Sequence, residues 1–252
     1  VWHIDTSQAG FSQYRVGSAF VEDFQDNLWI GATSDHGDSA LIRYRNGEFK
    51  ILSQAAGAAS GWIQDLFVDS RGRLWIASDT DGAWRLDDTN TEVFEFVKYT
   101  TADGLTSNST ASITEDRYGR IYIGTWRGID RLTPDTGQIE NFTTADGLPN
   151  NLFESLFEDA DGQIWAGMRE RTGGLVRLAS EPSPSNSIVE RVFTTKDGLP
   201  DNWIPALLQS SDGKFWVATT GGLCLWQGDR GGSVCRNYTS KNDLCDKDVW
   251  SI

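Results

Sequence analysis

A short motif recurs five times along the chain and limits what the chain can fold into. Each copy places an aromatic residue in an apolar run directly after a turn signal. The five aromatic residues are Trp29, Trp75, Tyr122, Trp165 and Trp216, and they lie 43 to 51 residues apart. Repeats of this length, each with about four short alternating runs, are typical of β-propeller blades. The sequence therefore predicts an all-β propeller of four-stranded antiparallel blades.

Turn signals divide each repeat into four strands. The first strand precedes an Asp-x-x-Gly step such as Asp159 to Gly162, where the carboxylate can cap backbone N–H groups and Gly accepts a positive φ. The second strand carries the aromatic residue, and the third follows a glycine-bearing loop. The fourth strand is expected to end in an aromatic residue, namely Phe49, Tyr99, Phe142, Phe193 or Tyr238.

Two copies of the Asp-x-x-Gly step depart from this pattern. Asp26 takes the place of Gly in the first copy, which is tolerable because Asp visits the left-handed region more readily than most residues. Ser210 takes the place of Asp in the fifth copy, and we expect the turn cap there to be weaker. The five aromatic residues themselves are predicted to pack between blades.

The repeats predict one propeller domain over residues 1–252 with five complete blades. The approximate blade bounds are 10–52, 57–99, 103–142, 146–193 and 197–238. Residues 1–5 and 242–252 lie where a fourth and a first strand belong, so they are interpreted as two strands of a partial closing blade. We therefore expect the chain to be a fragment of a longer ring, with seven blades as the first estimate.

The charge and hydropathy of the chain exclude some partners. A net charge of −14 argues against nucleic acid and against an anionic membrane surface, since either would need a basic patch. No apolar run approaches the roughly 20 residues of a membrane-spanning helix, so this segment is not expected to insert into a membrane. The three cysteines match no metal-site spacing, and we expect neither a metal nor a cofactor.

The stretches that begin at Asp146 and Asp197 resemble the two-component regulator propeller repeat. That family has the approximate pattern Asp-Gly-Leu-Pro-x-Asn, Asp-x-x-Gly-x-Leu-Trp-Ile-Gly-Thr and Gly-Leu-x-Arg-Leu. The fourth blade reads DGLPNN, EDADGQIWAG and GGLVRL, and the fifth reads DGLPDN and SSDGKFWVATTGGLCLW. The third blade matches well, and the first two match in their second halves, so the resemblance covers nearly the whole chain.

The resemblance implies a ligand-sensing module of a bacterial signal-transduction receptor, periplasmic or at the cell surface. Such propellers precede a membrane helix and an output domain, so the rest of a receptor chain is one expected partner. A small-molecule ligand, such as an oligosaccharide, is another, and a homodimer is a third. The two rival functions are a propeller-type lyase or glycoside hydrolase and a protein-interaction scaffold.

Candidate binding residues lie in loops that emerge on one face of a propeller. The loops from fourth to first strands share Asp-Gly-Leu, whereas those from second to third strands vary, and variable loops on a repeated scaffold usually carry specificity. An indole can stack on a sugar ring, and Arg offers forked donors to a carboxylate. The candidates are Trp126, Arg127, Arg169, Glu170, Arg171, Asp79, Asp81 and His36. The alternative left open is that Trp126 packs on its own blade and the arginines pair with acidic neighbours.

Catalysis has little support in the sequence, so no catalytic residue is assigned. There are only two histidines, His3 and His36, and the polar loop around His36 is explained equally well by solvent exposure. Among the cysteines, a hairpin turning at Gly228 to Gly232 would set Cys224 opposite Cys235. We predict a disulfide between them in an oxidising compartment, with Cys245 left unpaired.

Overall fold

The computed structural model describes residues 14–34, 39–53, 59–181, 187–228, 233–241, 244, 246 and 248–252. These residues form twenty β-strands and a short 3₁₀ turn at Thr144–Asp146. The chain divides into two compact units, Val1–Ala111 and Ser112–Ile252, and the boundary falls within the ninth strand.

The strands form five sheets, each of four antiparallel strands in chain order. Blade 1 contains β1 (Tyr14–Glu22), β2 (Leu28–Ser34), β3 (Ser39–Arg45) and β4 (Glu48–Ser53). Blade 2 contains β5 (Ile63–Val68), β6 (Leu74–Ser78), β7 (Gly82–Leu86) and β8 (Phe96–Tyr99). Blade 3 contains β9 (Thr110–Glu115), β10 (Ile121–Thr125), β11 (Gly128–Thr133) and β12 (Gln138–Phe142).

Blade 4 contains β13 (Phe153–Glu158), β14 (Ile164–Met168), β15 (Leu175–Leu178) and β16 (Val189–Phe193). Blade 5 contains β17 (Ala206–Gln209), β18 (Phe215–Thr219), β19 (Gly222–Trp226) and β20 (Cys235–Tyr238). The predicted all-β fold of four-stranded propeller blades is confirmed. The extent of the parent ring stays a prediction.

The Asp-x-x-Gly turn connects the first and second strands and is tied to the core by its carboxylate. In blade 4 the Asp159 Oδ1 atom accepts from the N–H groups of Asp161 and Gln163, at 3.0 and 2.9 Å. The Oδ2 atom accepts from the indole Nε1 of Trp165 at 2.7 Å. Gly162 completes the turn at φ 75, in the left-handed region that a glycine accepts without strain.

The same carboxylate–indole bond recurs in blades 1 and 2. Trp29 donates to Asp23 at 2.8 Å, and Trp75 donates to Asp69 at 2.7 Å. Burial of Asp23 opposes its ionisation, but hydrogen bonds from Trp29 and Asn27 outweigh burial and lower the pKa of its carboxyl group. The sequence predicted the backbone caps of these turns and missed the bond to the indole.

In blade 3 the turn carboxylate has different hydrogen-bond partners. Tyr122 stands in the indole position and has no N–H to donate. Asp116 accepts from Arg120 Nε at 2.6 Å, as Asp69 in blade 2 accepts from Arg73 Nε beside its indole bond. The Tyr122 hydroxyl accepts from Arg131, whose guanidinium is itself buried and bonded to the carbonyl of Ser180 at 2.7 Å. The carboxylate at the turn is therefore used in four blades. It accepts from an indole in blades 1, 2 and 4 and from an arginine four residues later in blades 2 and 3.

The five repeated aromatic residues, which were predicted to pack between blades, are not equally buried. Trp29, Trp75, Tyr122 and Trp165 are buried, whereas Trp216 is only half-buried. Trp29 and Trp165 pack on rings of the following blade, Phe94 and Phe215, whereas Trp216 packs on Tyr238 of its own blade. Among the described residues no further sheet follows blade 5, so one side of Trp216 stays uncovered.

The predicted aromatic end of the fourth strand holds in blades 2 to 5 and is wrong in blade 1. Tyr99, Phe142, Phe193 and Tyr238 end β8, β12, β16 and β20. In blade 1 a tight hairpin at Asn46–Gly47 places Phe49 near the start of β4, opposite Tyr44. In blade 1 Leu52, which pairs with Leu41, occupies the position that the aromatic residue has in the other blades, opposite the start of the third strand.

A second set of polar contacts, repeated from loop to loop, holds the Asp-Gly-Leu loops between blades. In the loop before blade 4, Thr143 N–H donates to Asp146 Oδ2 at 2.9 Å, and Leu148 is buried. Asn151 Oδ1 accepts from Thr144 N–H at 2.9 Å and so closes the loop. The loops at Asp103 and Asp197 repeat these contacts, with Asn108 and Asn202 as the closing residues.

Third strands in blades 2 to 5 begin at or directly after a glycine with left-handed φ, shown by Gly174 before β15 in blade 4 at φ 106. A side chain at Gly174 would collide with the carbonyl oxygen of Phe193 on the neighbouring strand. Gly82, Gly128 and Gly222 meet the carbonyl oxygens of Tyr99, Phe142 and Tyr238 in the same way. The end of every second-to-third-strand loop in these blades is therefore fixed against the fourth strand.

The two predicted flanking strands are only partly within the described residues. Residues 1–5 and most of 242–247 lie outside them, and residues 248–252 form no strand. Val249 N–H nevertheless donates to the carbonyl of Thr219 at the end of β18, at 3.1 Å. Ile204 N–H makes the same bond to Met168 at the end of β14, at 2.9 Å, where the chain enters blade 5.

Candidate functional site

Loops of the second unit surround a cavity of about 570 Å³. Its lining comes from the second-to-third-strand loops of blades 3 and 4 and from the residues just before the first strands of blades 4 and 5. The lining residues are Trp126, Leu152, Arg169, Glu170, Arg171, Thr172 and Trp203. Four of the candidates named from the sequence are thus brought together, and the surface between the polar groups is mainly apolar.

Trp126 and Arg169 form one wall of this cavity. The guanidinium carbon of Arg169 lies 4.8 Å from the centroid of the Trp126 ring, a cation–π contact between loops of successive blades. Trp126 remains 41% exposed, so a large part of its indole is open to a ligand. Arg127 does not line the cavity, and its backbone N–H donates to Thr125 Oγ1 at 2.9 Å to shape the loop.

Glu154 on β13 lies behind Arg169. Its Oε2 atom is 3.4 Å from Arg169 Nε, and this atom has no hydrogen-bond partner among the described residues. Burial raises the pKa of the Glu154 carboxyl group, and the charge of Arg169 offsets that effect only in part. A desolvated carboxylate with a long ion pair is a poor anchor for Arg169, which leaves that guanidinium available to other groups.

Arg171 and Thr172 form the outer rim of the cavity. Arg171 Nε lies 3.4 Å from Asp201 Oδ2, and the Arg171 side chain is two-thirds exposed. The rim is braced through its backbone, since Asn202 Nδ2 donates to the Arg171 carbonyl at 2.8 Å. Asn150 Nδ2 reaches Thr172 Oγ1 at 3.3 Å. Acidic neighbours do face both arginines, but each ion pair is long and open to solvent on one side.

Sequence reasoning missed Leu152 and Trp203 as cavity residues. Both directly follow the asparagine that closes the Asp-Gly-Leu loop, and they occupy the same repeat position. Their carbonyls accept from Arg169 N–H at 3.0 Å and from Thr220 N–H at 3.3 Å, so the position is joined to the variable loop of its own blade. Its variability within an otherwise uniform loop was the signal that could have found it.

The remaining loop candidates lie in the first unit or outside the described residues. Asp79 Oδ1 caps the N–H of Trp62 at 2.7 Å, and Asp81 forms an ion pair with Lys98. Burial opposes ionisation of Asp81, but the bonds from Lys98 and Ser60 outweigh it and lower its pKa. Both carboxylates therefore have partners within their blade, while His36 and its loop lie outside the described residues.

Among the described residues no three His, Cys, Asp or Glu side chains are grouped as a metal site would require. Within the same part of the chain no helix is long and apolar enough to cross a bilayer.

The structure joins Cys224 and Cys235, with their Cα atoms 5.3 Å apart, but the predicted strand register was wrong by two residues. Trp226 pairs with Cys235 and Cys224 pairs with Asn237, so the bridge runs diagonally across β19 and β20. The bond from Gln227 N–H to the Val234 carbonyl sets this register and closes a loop two residues longer than the sequence suggested. Cys245 lies outside the described residues.

Comparison with known proteins agrees with this architecture. The chain carries four copies of the two-component regulator propeller repeat, matched over residues 57–80, 104–127, 147–170 and 198–221. These segments run from the Asp-Gly-Leu loop, or its counterpart, into the second-to-third-strand loop. Blades 2 to 5 therefore each contain a match to that repeat. No curated protein sequence matches the chain significantly.

Solved structures with a similar fold include the extracellular domain of the putative hybrid two-component system BT3049 from B. thetaiotaomicron. That chain is 21% identical with a TM-score of 0.69, and the match covers 97% of this chain and 36% of that one. The corresponding domain of BT4673 from the same organism is 22% identical with a TM-score of 0.67, over 94% and 31%. This chain thus spans about a third of either domain.

A gluconolactonase from Xanthomonas campestris, XC5397, is also similar in fold. It is 16% identical with a TM-score of 0.56, and the match covers 85% of this chain and 72% of that chain. At these identities the likeness concerns the fold.

Proposed function

We propose that this chain is the ligand-sensing propeller module of an extracytoplasmic signal-transduction receptor. In this proposal the cavity around Trp126 and Trp203 binds a small polar ligand such as an oligosaccharide. The observation that carries the proposal is that loops of successive blades bring two indoles and two arginines together around one cavity. The repeat family and the extracellular domains of similar fold support the receptor context.

The chemistry of the cavity suits a sugar ring. Indole faces stack on the apolar face of a ring, and Trp126 offers such a face at the cavity wall. Arg169 and Arg171 are forked donors, and the Glu170 carboxylate is a hydroxyl acceptor at the same rim. A cavity of about 570 Å³ lies within the range of roughly 300–1,000 Å³ for small-molecule sites.

In this proposal the rest of a receptor chain is the partner that converts binding into a signal, and the module itself has no catalytic role. The periplasm or cell surface is its proposed location, in keeping with the extracellular origin of the structures with similar fold. A homodimer would be formed by the full receptor.

One observation favours an enzyme as the second candidate. Glu154 is a desolvated carboxyl group with a raised pKa close to the cavity, and such groups are common among catalytic acids. A glycosidase or lyase would convert the ligand, so chromatography after prolonged incubation with a bound glycan distinguishes the two functions. Recovery of the intact glycan supports the sensor, and appearance of product that depends on Glu154 supports the enzyme.

The binding site is tested by titrating the chain with a panel of plant and host oligosaccharides, followed by intrinsic tryptophan fluorescence and calorimetry. Trp126→Ala and Arg169→Ala are each expected to lower affinity at least tenfold, because they remove the stacking face and the forked donor. Tyr118→Ala and Arg236→Ala are matched controls, since both side chains are exposed and neither lines the cavity. Unchanged affinity in both test variants would contradict the proposed site.

A further inference from the structure

A second cavity, of about 480 Å³, lies in the first unit, where the hairpin of β3 and β4 meets the loop from β7 to β8. Its lining carries three basic side chains and two carboxylates, although acidic residues outnumber basic ones by 36 to 22 in the whole chain. These five residues are Arg43, Arg45, Lys50, Glu48 and Glu92. A local excess of positive charge in an acidic chain favours the binding of an anion.

Strand pairing brings the three cations to one face of the blade 1 sheet. Arg43 of β3 lies directly opposite Lys50 of β4, and Arg45 follows Arg43 by two residues, so the three side chains share that face. The Arg43 side chain is only 6% exposed. The Phe94 ring covers one side of two of the cations, with Arg43 Cζ 5.2 Å and Lys50 Nζ 4.8 Å from its centroid. Like charges directly opposite each other destabilise a sheet, so this arrangement needs an anion.

Glu92 is the anion that the chain itself supplies. Its Oε1 atom lies 2.6 Å from Arg43 Nη2, and its Oε2 atom lies 2.6 Å from Lys50 Nζ. Hydrogen bonds from Lys50 and Arg43 lower the pKa of the Glu92 carboxyl group to about 2. Both carboxylate oxygens are used by these two cations. The third cation, Arg45, donates instead to a neutral group, Asn90 Oδ1, at 2.5 Å.

The Glu92 carboxylate can leave the cations while the loop that carries it stays in place. Its side chain is 70% exposed, so it can rotate into water. The loop backbone is anchored separately, because Arg43 Nη1 donates to the Thr91 carbonyl at 2.9 Å and Lys50 Nζ donates to the Glu92 carbonyl at 2.8 Å. Rotation of one side chain therefore frees Arg43 Nη2 and one face of the Lys50 ammonium group for another anion.

We propose that this cavity binds the phosphate or sulfate group of a ligand, which displaces the Glu92 carboxylate. A tetrahedral oxyanion has at least three acceptor oxygens, so it can accept from Arg43, Arg45 and Lys50 at once. A carboxylate ligand has only two, and it gains nothing over Glu92. Glu92 thereby selects for tetrahedral anions, and Glu48, opposite Arg45 in the hairpin, repels a second anionic group.

Titration with inorganic phosphate and inorganic sulfate at constant ionic strength tests the proposal, followed by the NMR shifts of backbone amides in β3 and β4. Saturable shifts are expected for both anions and none for acetate, which offers two oxygens as Glu92 does. Glu92→Gln should tighten phosphate binding about fivefold, because it removes the competing charge. Arg45→Ala should weaken binding about fivefold. Arg236→Ala is the matched control, since this exposed arginine lies outside the cavity.

The two variants test separate parts of the proposal. Absence of saturable shifts with both anions in Glu92→Gln overturns it, and so does an affinity that Glu92→Gln leaves unchanged. Unchanged affinity in Arg45→Ala overturns the role of the third cation even if Glu92→Gln fails to fold, which its melting temperature reveals. Titration with phenyl phosphate and phenyl sulfate distinguishes the two ester classes. Tighter binding of one ester supports the site and assigns it to that class, and binding of neither overturns a role in ligand recognition.

Discussion

Blades 4 and 5 have nearly the same backbone at the turn between first and second strands, but different chemistry holds it. In blade 4 Gly162 N–H donates to the Asp159 carbonyl at 2.7 Å, and in blade 5 Gly213 N–H donates to Ser210 at 2.8 Å. Only blade 4 adds a carboxylate bonded to an indole. In blade 5 the Ser210 hydroxyl instead donates to Asp212 at 2.6 Å.

The comparison shows that strand pairing and a glycine suffice to form the turn, and that the carboxylate has a separate role. It ties the turn to a buried aromatic side chain, and where it is missing the indole is less buried. Blade 5 has a different connection, the Cys224–Cys235 bridge between its outer strands. Four variants test this division of roles.

Trp165→Ala should cause the largest loss of stability. The ring is almost fully buried and contacts Phe193, Phe215 and Trp226, with centroids 5.1 to 5.9 Å away. Removing it should lower the free energy of unfolding by about 3–5 kcal/mol, measured by urea denaturation. Trp216→Ala is the control in blade 5 and should cost less than half as much, because Trp216 is half-buried. Equal losses would show that the two indoles have equivalent roles.

Loss of the disulfide should be the second largest effect. Replacing both Cys224 and Cys235 by alanine removes a bridge across 11 residues and should cost ~3 kcal/mol of stability. Cys245→Ala is the control and should change little. Mass spectrometry without reduction checks the bridge itself, and alkylation of both Cys224 and Cys235 in unreduced protein would refute it.

Asp159→Ala should follow, with a loss of about 2–3 kcal/mol in the same denaturation assay. It leaves two turn N–H groups and the buried indole N–H of Trp165 without their acceptor. Ser210→Ala is the matched change in blade 5 and should cost less than about 1 kcal/mol, because Ser210 contacts only exposed groups. A cost for Ser210→Ala as large as that for Asp159→Ala would remove the distinction between the blades.

Ser210→Asp should have the smallest effect and the opposite sign. A carboxylate there can accept from the turn N–H groups as Asp159 does, with an expected gain of ~1 kcal/mol. Asp161 lies two residues after Asp159 in blade 4, so the acidic Asp212 in the matching position does not forbid the arrangement. Ser210→Asn separates charge from shape and should recover about half the gain, and a loss of stability in Ser210→Asp would show that blade 5 cannot adopt the blade 4 turn.

The fold was predictable because each blade of a propeller repeats the same sequence motif. Five copies of one motif at similar spacing place strands, turns and loops without any knowledge of distant contacts. The errors fall where copies differ. Trp216 follows the motif, but it packs on Tyr238 of its own blade and on no ring of a following blade among the described residues. The glycine-rich stretch from Gly228 allows several hairpin registers, and sequence alone offers no reason to choose the diagonal pairing of the cysteines.

The candidate site was predictable only in part for a related reason. Trp126 and the arginines of the blade 4 loop stand out, because the other second-to-third-strand loops consist mainly of small residues. Leu152 and Trp203 belong to a uniform loop and become cavity residues only because consecutive blades bring different loops together. Asp79 and Asp81 show the converse, since their partners Trp62 and Lys98 come from other parts of blade 2.

The glycine at the start of each third strand in blades 2 to 5 has a consequence for how such chains diversify. Its backbone is held against the fourth strand by a contact that no other residue permits, so the loop before it always ends at the same point. Loops as different as Thr125 to Gly128 and Met168 to Gly174 are therefore accommodated without moving the strands that follow. Insertions, deletions and exchanges in this segment are insulated from the folding of the blade. A lineage can therefore acquire new recognition loops one blade at a time, while the scaffold that presents them is inherited unchanged.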